Sequence, residues 1–315
     1  MTAITATLVK ELRDKTGAGM MDCKAALTEV KGDIESAIDW LRKKGITKAA
    51  NKAGRIAAEG LIGVTAKDKA GAMVEVNSET DFVARNEQFQ DLVRNIASLA
   101  PKADSDVAKL LAQTYPGKST TVEHQVKEAV ATIGENMSLR RTVAMSVGEG
   151  HVAEYVHNRV ADGLGKIGVL VAIESKGDKA ALATFGRQLA MHIAAHVPSA
   201  AAVTAEALDP ALVERERAIY AEQAKASGKS AEIAAKMVEG RLRKEFFQQV
   251  VLMEQTFLGP GSDGKATVAQ ALKAAEKTAG APIKIAKFAR YALGEGIDKK
   301  DEDFAAEVAK AVGKR

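Results

Sequence analysis

One cysteine stands in 315 residues. Cys23 cannot form an intramolecular disulfide and supplies no thiolate cluster for structural zinc, so a reducing compartment is expected. Aromatic residues are scarce, 4% of a chain that is 46% hydrophobic, which leaves alanine, 59 copies of it, to build slim and closely packed helices. Charge of one sign is missing too. The 45 Lys and Arg are set against 41 Asp and Glu, and a net +4 over this length is too small to mark a dedicated nucleic-acid binder. No long hydrophobic run occurs: the apolar stretch Ile167–Ile173 is strand-sized and far short of a membrane span. Residues 1–6 lead into charged periodic sequence rather than a signal-peptide core. These absences point to a soluble cytoplasmic protein, and the length favours two or three compact units.

What is present is mostly helix. Leu8 and Leu12 mark a first helix that stops at Thr16-Gly17-Ala18-Gly19; Met20, Cys23, Leu27 and Val30 form the apolar face of a second; Asp33 is placed to cap a third bearing Ile34, Ile38 and Leu41. The stretch from Arg42 to Arg55 has six basic residues and no acidic one, and reads as an exposed helical or flexible linker. Beyond Gly60 the period changes to two, predicting a hairpin around Lys67–Gly71. Asn86 then caps a helix with Phe89, Leu92, Val93 and Ile96 on one face, and a further helix from Val122 leads through Gly134-Glu135-Asn136 to a strand with Val143. The scheme recurs: strands at Val152–His157 and Ile167–Glu174, then a helix capped by Asp178. Asp209-Pro210 opens an antiparallel helical hairpin turned at Ser227–Ser230. Strands are expected at Val250–Leu258 and Ile283–Leu293, and a closing helix with Phe304, Val308 and Val312.

Several chemical motifs fail in context. Gly163-Leu164-Gly165-Lys166-Ile167-Gly168 matches G-x-G-x-x-G, yet its strand follows the glycines instead of preceding them, so phosphates would meet no helix N-terminus; a mobile loop between strands is the plainer reading. Gly117-Lys118-Ser119 and Gly228-Lys229-Ser230 resemble P-loop ends but have Ala112 and Gln223 where the earlier glycine belongs. His192 and His196 share the i, i+4 spacing of zinc proteases, but Ile193 replaces the general-base glutamate, which favours packing or hydrogen-bonding roles. Cys23, beside Leu27, suits a buried inert thiol. The basic stretch lacks aromatic residues for stacking on RNA.

Two segments are more specific. Leu12–Leu27, LRDKTGAGMMDCKAAL, and Thr80–Asn86, TDFVARN, resemble the two signatures of the translation elongation factor Ts family. The likeness continues through Ile133–Asn136, Ile167–Val171, Ala190–Ala195 and Met237–Arg241, and so runs along essentially the whole chain. It implies an α+β, helix-rich fold: a ubiquitin-associated-like three-helix bundle with its basic linker (1–55), a two-part α+β core with antiparallel sheets (56–148 and 149–293), a helical hairpin of coiled-coil type inserted at about 205–245, and a C-terminal helical module (294–315).

The family exchanges guanine nucleotide on elongation factor Tu without being an enzyme. The resemblance therefore implies a GTPase partner, no cofactor or metal of its own, no direct nucleotide binding, and no DNA or membrane partner; it leaves a homodimer within a two-to-two complex open. It implies that Thr80, Asp81, Phe82 and Val83 displace Mg²⁺ from the GTPase, and that Met20, Met21, Lys24, His157 and Val250 contact it. From spacing alone, Phe82 fits equally a hydrophobic staple onto the helix at Asn86 and a buried interface anchor.

Overall fold

Thr5, Gly17 and Asp33 punctuate the N-terminal helices. In the computed structural model, which describes residues 4–226, 230–262 and 264–298, the Thr5 hydroxyl accepts from the Leu8 N–H to start α1 (Ala6–Thr16), and Gly17 at φ +68° ends it. Glycine takes that left-handed turn without strain. α2 (Met20–Glu29) follows, and the Asp33 carboxylate accepts from the Ser36 N–H at 2.8 Å to open α3 (Ile34–Lys52). Val9, Leu12, Cys23, Leu27 and Ala37 pack together as the bundle core. The basic stretch is helical as far as Lys52, so of the two readings of that linker the helical one holds. Met20 requires a correction. Although its spacing puts it with Cys23 and Leu27, it is 60% exposed, because as the first residue of α2 it lies beyond the core that Cys23, Ala26 and Leu27 build.

The period-two segment forms β1 (Glu59–Lys67) and β2 (Ala70–Ser78), paired antiparallel from Glu59 opposite Ser78 to Lys67 opposite Ala70. Next come α4 (Glu87–Leu99), α5 (Val107–Ala112), α6 (Val122–Ile133) and β3 (Met137–Ser146). The hairpin is apolar on both faces because both are covered. Leu61, Ala72, Val74 and Val76 meet Phe89, Val93 and Ile96 of α4 and Val126 of α6, while Ile62, Val64 and Met73 meet Val152, Leu170 and Ala172 of a second sheet. Each of the larger side chains buried here, Val, Leu, Ile, Met or Phe, stabilises the fold by about 2 kcal/mol.

That second sheet contains β4 (Gly150–His157), β6 (Ile167–Glu174) and β7 (Lys284–Ala292), in the order β4-β6-β7. Between β4 and β6 the chain returns briefly to the first sheet as β5 (Leu164–Gly165), giving the order β3-β2-β1-β5. All strand pairings within the two sheets are antiparallel. α7 (Lys179–Ala195) and the helix Val268–Ala279 cover the outer face over Val169, Val171 and Ile173. The result is four layers, helix on sheet on sheet on helix, with the two sheets sharing one core.

α8 (Pro210–Lys225) and α9 (Ala231–Arg241) form the hairpin. α9 runs on through a π-helical turn, Leu242–Phe247, to Val250. The hairpin closes on Leu208, Tyr220, Val238, Leu242 and Phe246, with the Arg241 guanidinium 4.2 Å above the Tyr220 ring. The strand expected at Val250–Leu258 does not form. Its N–H groups instead reach the Ala202 and Val203 carbonyls from Leu252 and Met253 and fold back onto Val251 and Leu252 from Gln255, leaving only single bridges at Val251 and Thr256. Residues Ser227–Lys229 of the expected turn, and the helix expected with Phe304, Val308 and Val312, lie outside the described residues.

Candidate functional site

The chain leaves β2 at Ser78 and starts α4 at Glu87, and the turn between them is held from both sides. The Thr80 N–H and hydroxyl both donate to the Glu135 carboxylate, at 2.9 and 2.6 Å, and the Ser78 hydroxyl donates to the Thr80 carbonyl at 3.0 Å. Glu79 reciprocates. One of its oxygens accepts from the Asn136 N–H at 2.5 Å while the other lies 3.5 Å from Arg55. Val83–Arg85 then make a single 3-10 turn, in which the Ala84, Arg85 and Asn86 N–H groups donate to the carbonyls of Asp81, Phe82 and Val83. Val83 and Ala84 are buried beneath it, and the Asn86 side chain caps α4 through the Phe89 N–H at 3.1 Å. Asp81 is exposed and the Phe82 ring is 75% exposed. A hydrophobic staple would bury that ring on α4. The exposure excludes that reading and leaves an aromatic side chain standing on a fixed turn.

Met21, 76% exposed, and Lys24 are exposed along α2 as Met20 is, while Cys23 and Leu27 of the same helix are buried. His157 is exposed at the end of β4, its Nδ1 3.2 Å from the Tyr155 hydroxyl. Val250 is different. It is half-buried against the hairpin core, and its carbonyl accepts from the Ala201 N–H at 2.8 Å. Thr80–Val83 thus share one turn and Met20, Met21 and Lys24 one helix, whereas His157 and Val250 sit on separate elements.

The Gly163–Gly168 run, His192 and Cys23 have packing explanations. A Cβ on Gly165 would lie 2.5 Å from Val156 Cγ1, and one on Gly168 2.5 Å from Met73 Sδ and 2.7 Å from Ile62 Cγ2, so these glycines let the two sheets approach. The segment is not a free loop, since Leu164–Gly165 pairs with Ile62–Gly63. His192 is fully buried: Nδ1 accepts from the Leu258 N–H at 3.1 Å, which places the ring proton on Nε2, donated to Gln255 Oε1 at 3.0 Å. Burial lowers its pKa to about 4, so the imidazole is neutral. Burial also raises the pKa of the Cys23 thiol, consistent with an inert side chain. Among the described residues no group of three or more His, Cys, Asp or Glu is arranged to hold a metal ion, and no helix is long and apolar enough to cross a membrane.

Sequence reasoning missed the part played by Glu135 and Glu79. The only hint is a carboxylate directly after Gly134, whose φ of +89° ends α6 and leaves Glu135 with no helix to cap. Glu75 was missed as well. Fully buried at the first sheet, its carboxylate is pushed up by burial but held below the usual range by the Gly294 N–H, Arg141 and Asn77, tying the chain beyond β7 to β2 and β3.

The class so defined is a helix-rich, layered α+β protein that presents apolar side chains outward at the Phe82 turn and on α2. The family model described as Elongation factor TS matches residues 79–295. Curated relatives named Elongation factor Ts are 61% identical over 311 residues in Parvibaculum lavamentivorans (99% of both chains), 59% over 309 residues in Bartonella henselae (98% of this chain, 99% of the relative), and 58% over 312 residues in Rhizobium etli (99% of both). The chain belongs to the elongation factor Ts family.

Proposed function

We propose that the protein is a guanine nucleotide exchange factor for elongation factor Tu, acting in the cytoplasm during translation elongation. It binds the GDP-loaded GTPase, displaces Mg²⁺ and promotes GDP release so that GTP can bind. Family membership supports the partner, and the observation that carries the mechanism is Phe82, 75% exposed on a turn pinned at Thr80. A GTPase holds GDP through backbone N–H groups around the phosphates and through Mg²⁺. A ring wedged between elements of the GTPase domain shifts both. The energy available comes from burying a side chain that the free protein leaves in water.

Each residue then has a role. Phe82 is the wedge, Val83 the buried foot of its turn, and Thr80 and Asp81 the polar flank that faces the Mg²⁺ site. Met20 and Met21 offer an adaptable apolar contact and Lys24 a cation beside it. His157 and Val250 are further contacts; half-buried Val250 reaches the partner only through its exposed edge. The protein itself contributes no bond making or breaking, and linkage makes its effect reciprocal: it weakens GDP binding by the factor by which GDP weakens its own binding.

Gel filtration with elongation factor Tu tests this. A stable complex is expected with the nucleotide-free GTPase, and excess GDP with Mg²⁺ should dissociate it. Failure to form the complex, or a complex indifferent to GDP, would refute the proposal.

A further inference from the structure

Both donors of Thr80, its N–H and its hydroxyl, end on one carboxylate, that of Glu135. Glu135 lies far along the chain, in the turn Gly134–Asn136 that follows α6. The same turn makes a further bond to the Phe82 turn and two to the end of α3. The Asn136 N–H donates to Glu79, the Asn136 amide donates to the Arg55 carbonyl at 2.7 Å, and the Lys52 ammonium donates to the Gly134 carbonyl. Three consecutive residues therefore grip the Phe82 turn on one side and the end of α3 on the other. α3 belongs to the bundle whose α2 presents Met20, Met21 and Lys24.

We infer that Glu135 is a positioning residue: its carboxylate holds the Thr80–Phe82 turn in the shape that meets the GTPase, and its own turn sets that shape relative to the N-terminal bundle. The inference rests on the exchange-factor reading and adds a residue that acts through Thr80. Physically, a charged acceptor taking two donors makes stronger bonds than neutral partners do. Without it both Thr80 donors turn to water, Phe82 samples several orientations, and only the fraction in the competent one drives release. Loss of two such bonds predicts a release rate lower by about tenfold or more.

The test uses the full-length protein in excess over elongation factor Tu loaded with fluorescent GDP, with the release rate followed against protein concentration. The plateau reports the assembled complex, whereas an unfolded fraction moves only the half-saturation point. Glu135→Ala should lower the plateau about tenfold or more. Glu135→Gln should restore most of it, because its carbonyl can accept from the Thr80 N–H while its amide donates to the Thr80 hydroxyl oxygen. If Glu135→Ala does not fold, Thr80→Val, which removes one of the two donors, should lower the plateau severalfold. A wild-type plateau in Glu135→Ala or in Thr80→Val, or equal losses in the Ala and Gln variants, would overturn the inference. Absence of acceleration by the wild-type protein would instead refute the exchange-factor reading, and a loss in Phe82→Ala with none in Glu135→Ala would remove only the positioning role.

Discussion

Replacing Phe82 by alanine separates folding from function. The ring is 75% exposed, so little of it packs on its own chain, and the substitution should change folding stability by no more than about 0.5 kcal/mol. In the complex the arithmetic differs. A phenylalanine covered on all sides removes about 200 Å² from water, and the three-quarters still open here amount to about 150 Å², or close to 4 kcal/mol at about 25 cal/mol per Å². Alanine keeps a small part of that contact, so the variant should lose about 3 kcal/mol, roughly a hundredfold. Where the loss appears decides the mechanism. If the ring is buried only once Mg²⁺ and the phosphate-binding backbone have shifted, the maximal GDP release rate falls and half-saturation stays; if it is buried equally at first encounter, half-saturation rises and the rate stays. The wedge requires the first pattern. Stopped-flow release of fluorescent GDP over a range of protein concentrations separates the two, with thermal unfolding as the control. A maximal rate within twofold of wild type in a variant of unchanged stability would remove Phe82 from the mechanism.

Met20→Ala combined with Met21→Ala, at two exposed positions, should leave the unfolding midpoint and the maximal release rate unchanged but raise half-saturation several-fold; an unaltered half-saturation point would show that α2 makes no contact. Gly168→Ala forces a methyl against Met73, Ile62 and Val64 between the sheets and should cost about 1 to 3 kcal/mol in urea denaturation, whereas an unchanged midpoint would contradict the packing explanation for this glycine. His192 supplies a pH dependence. Its folded pKa of about 4 lies below the ordinary 6.5 because the ring is buried, so the unfolded chain takes up a proton that the folded one refuses. Its contribution is complete above about pH 6.5 and is lost as pH falls towards 4, up to about 3 kcal/mol. Urea midpoints should drop over that window more steeply in the wild type than in His192→Gln; parallel curves would contradict the assignment.

The elements that came through from sequence are those with a local period. β1 and β2, α4 with Phe89, Val93 and Ile96, and the caps at Asn86 and Asp178 rest on neighbours a few residues apart. The stacking of the two sheets was hidden, because it depends on Gly168 meeting Met73 and Ile62 across the fold. Val250–Leu258 was misread for a related reason: an apolar run suits a strand until the partners of its N–H groups are known. At the site, Phe82 was visible as a candidate but its exposure was not, since a staple and an anchor have the same spacing before Asn86. Glu135 was invisible as the partner of Thr80, because the two are 55 residues apart and no local pattern links them. Met20 shows the reverse error, a helical spacing that continues past the core it was assumed to face.

The exchange function proposed for this protein is a faster loss of GDP from elongation factor Tu. Mixing the wild-type chain with elongation factor Tu carrying fluorescent GDP, and chasing with excess unlabelled nucleotide, measures that directly. Release should accelerate with protein concentration and saturate; release at the spontaneous rate at every concentration would contradict an exchange function.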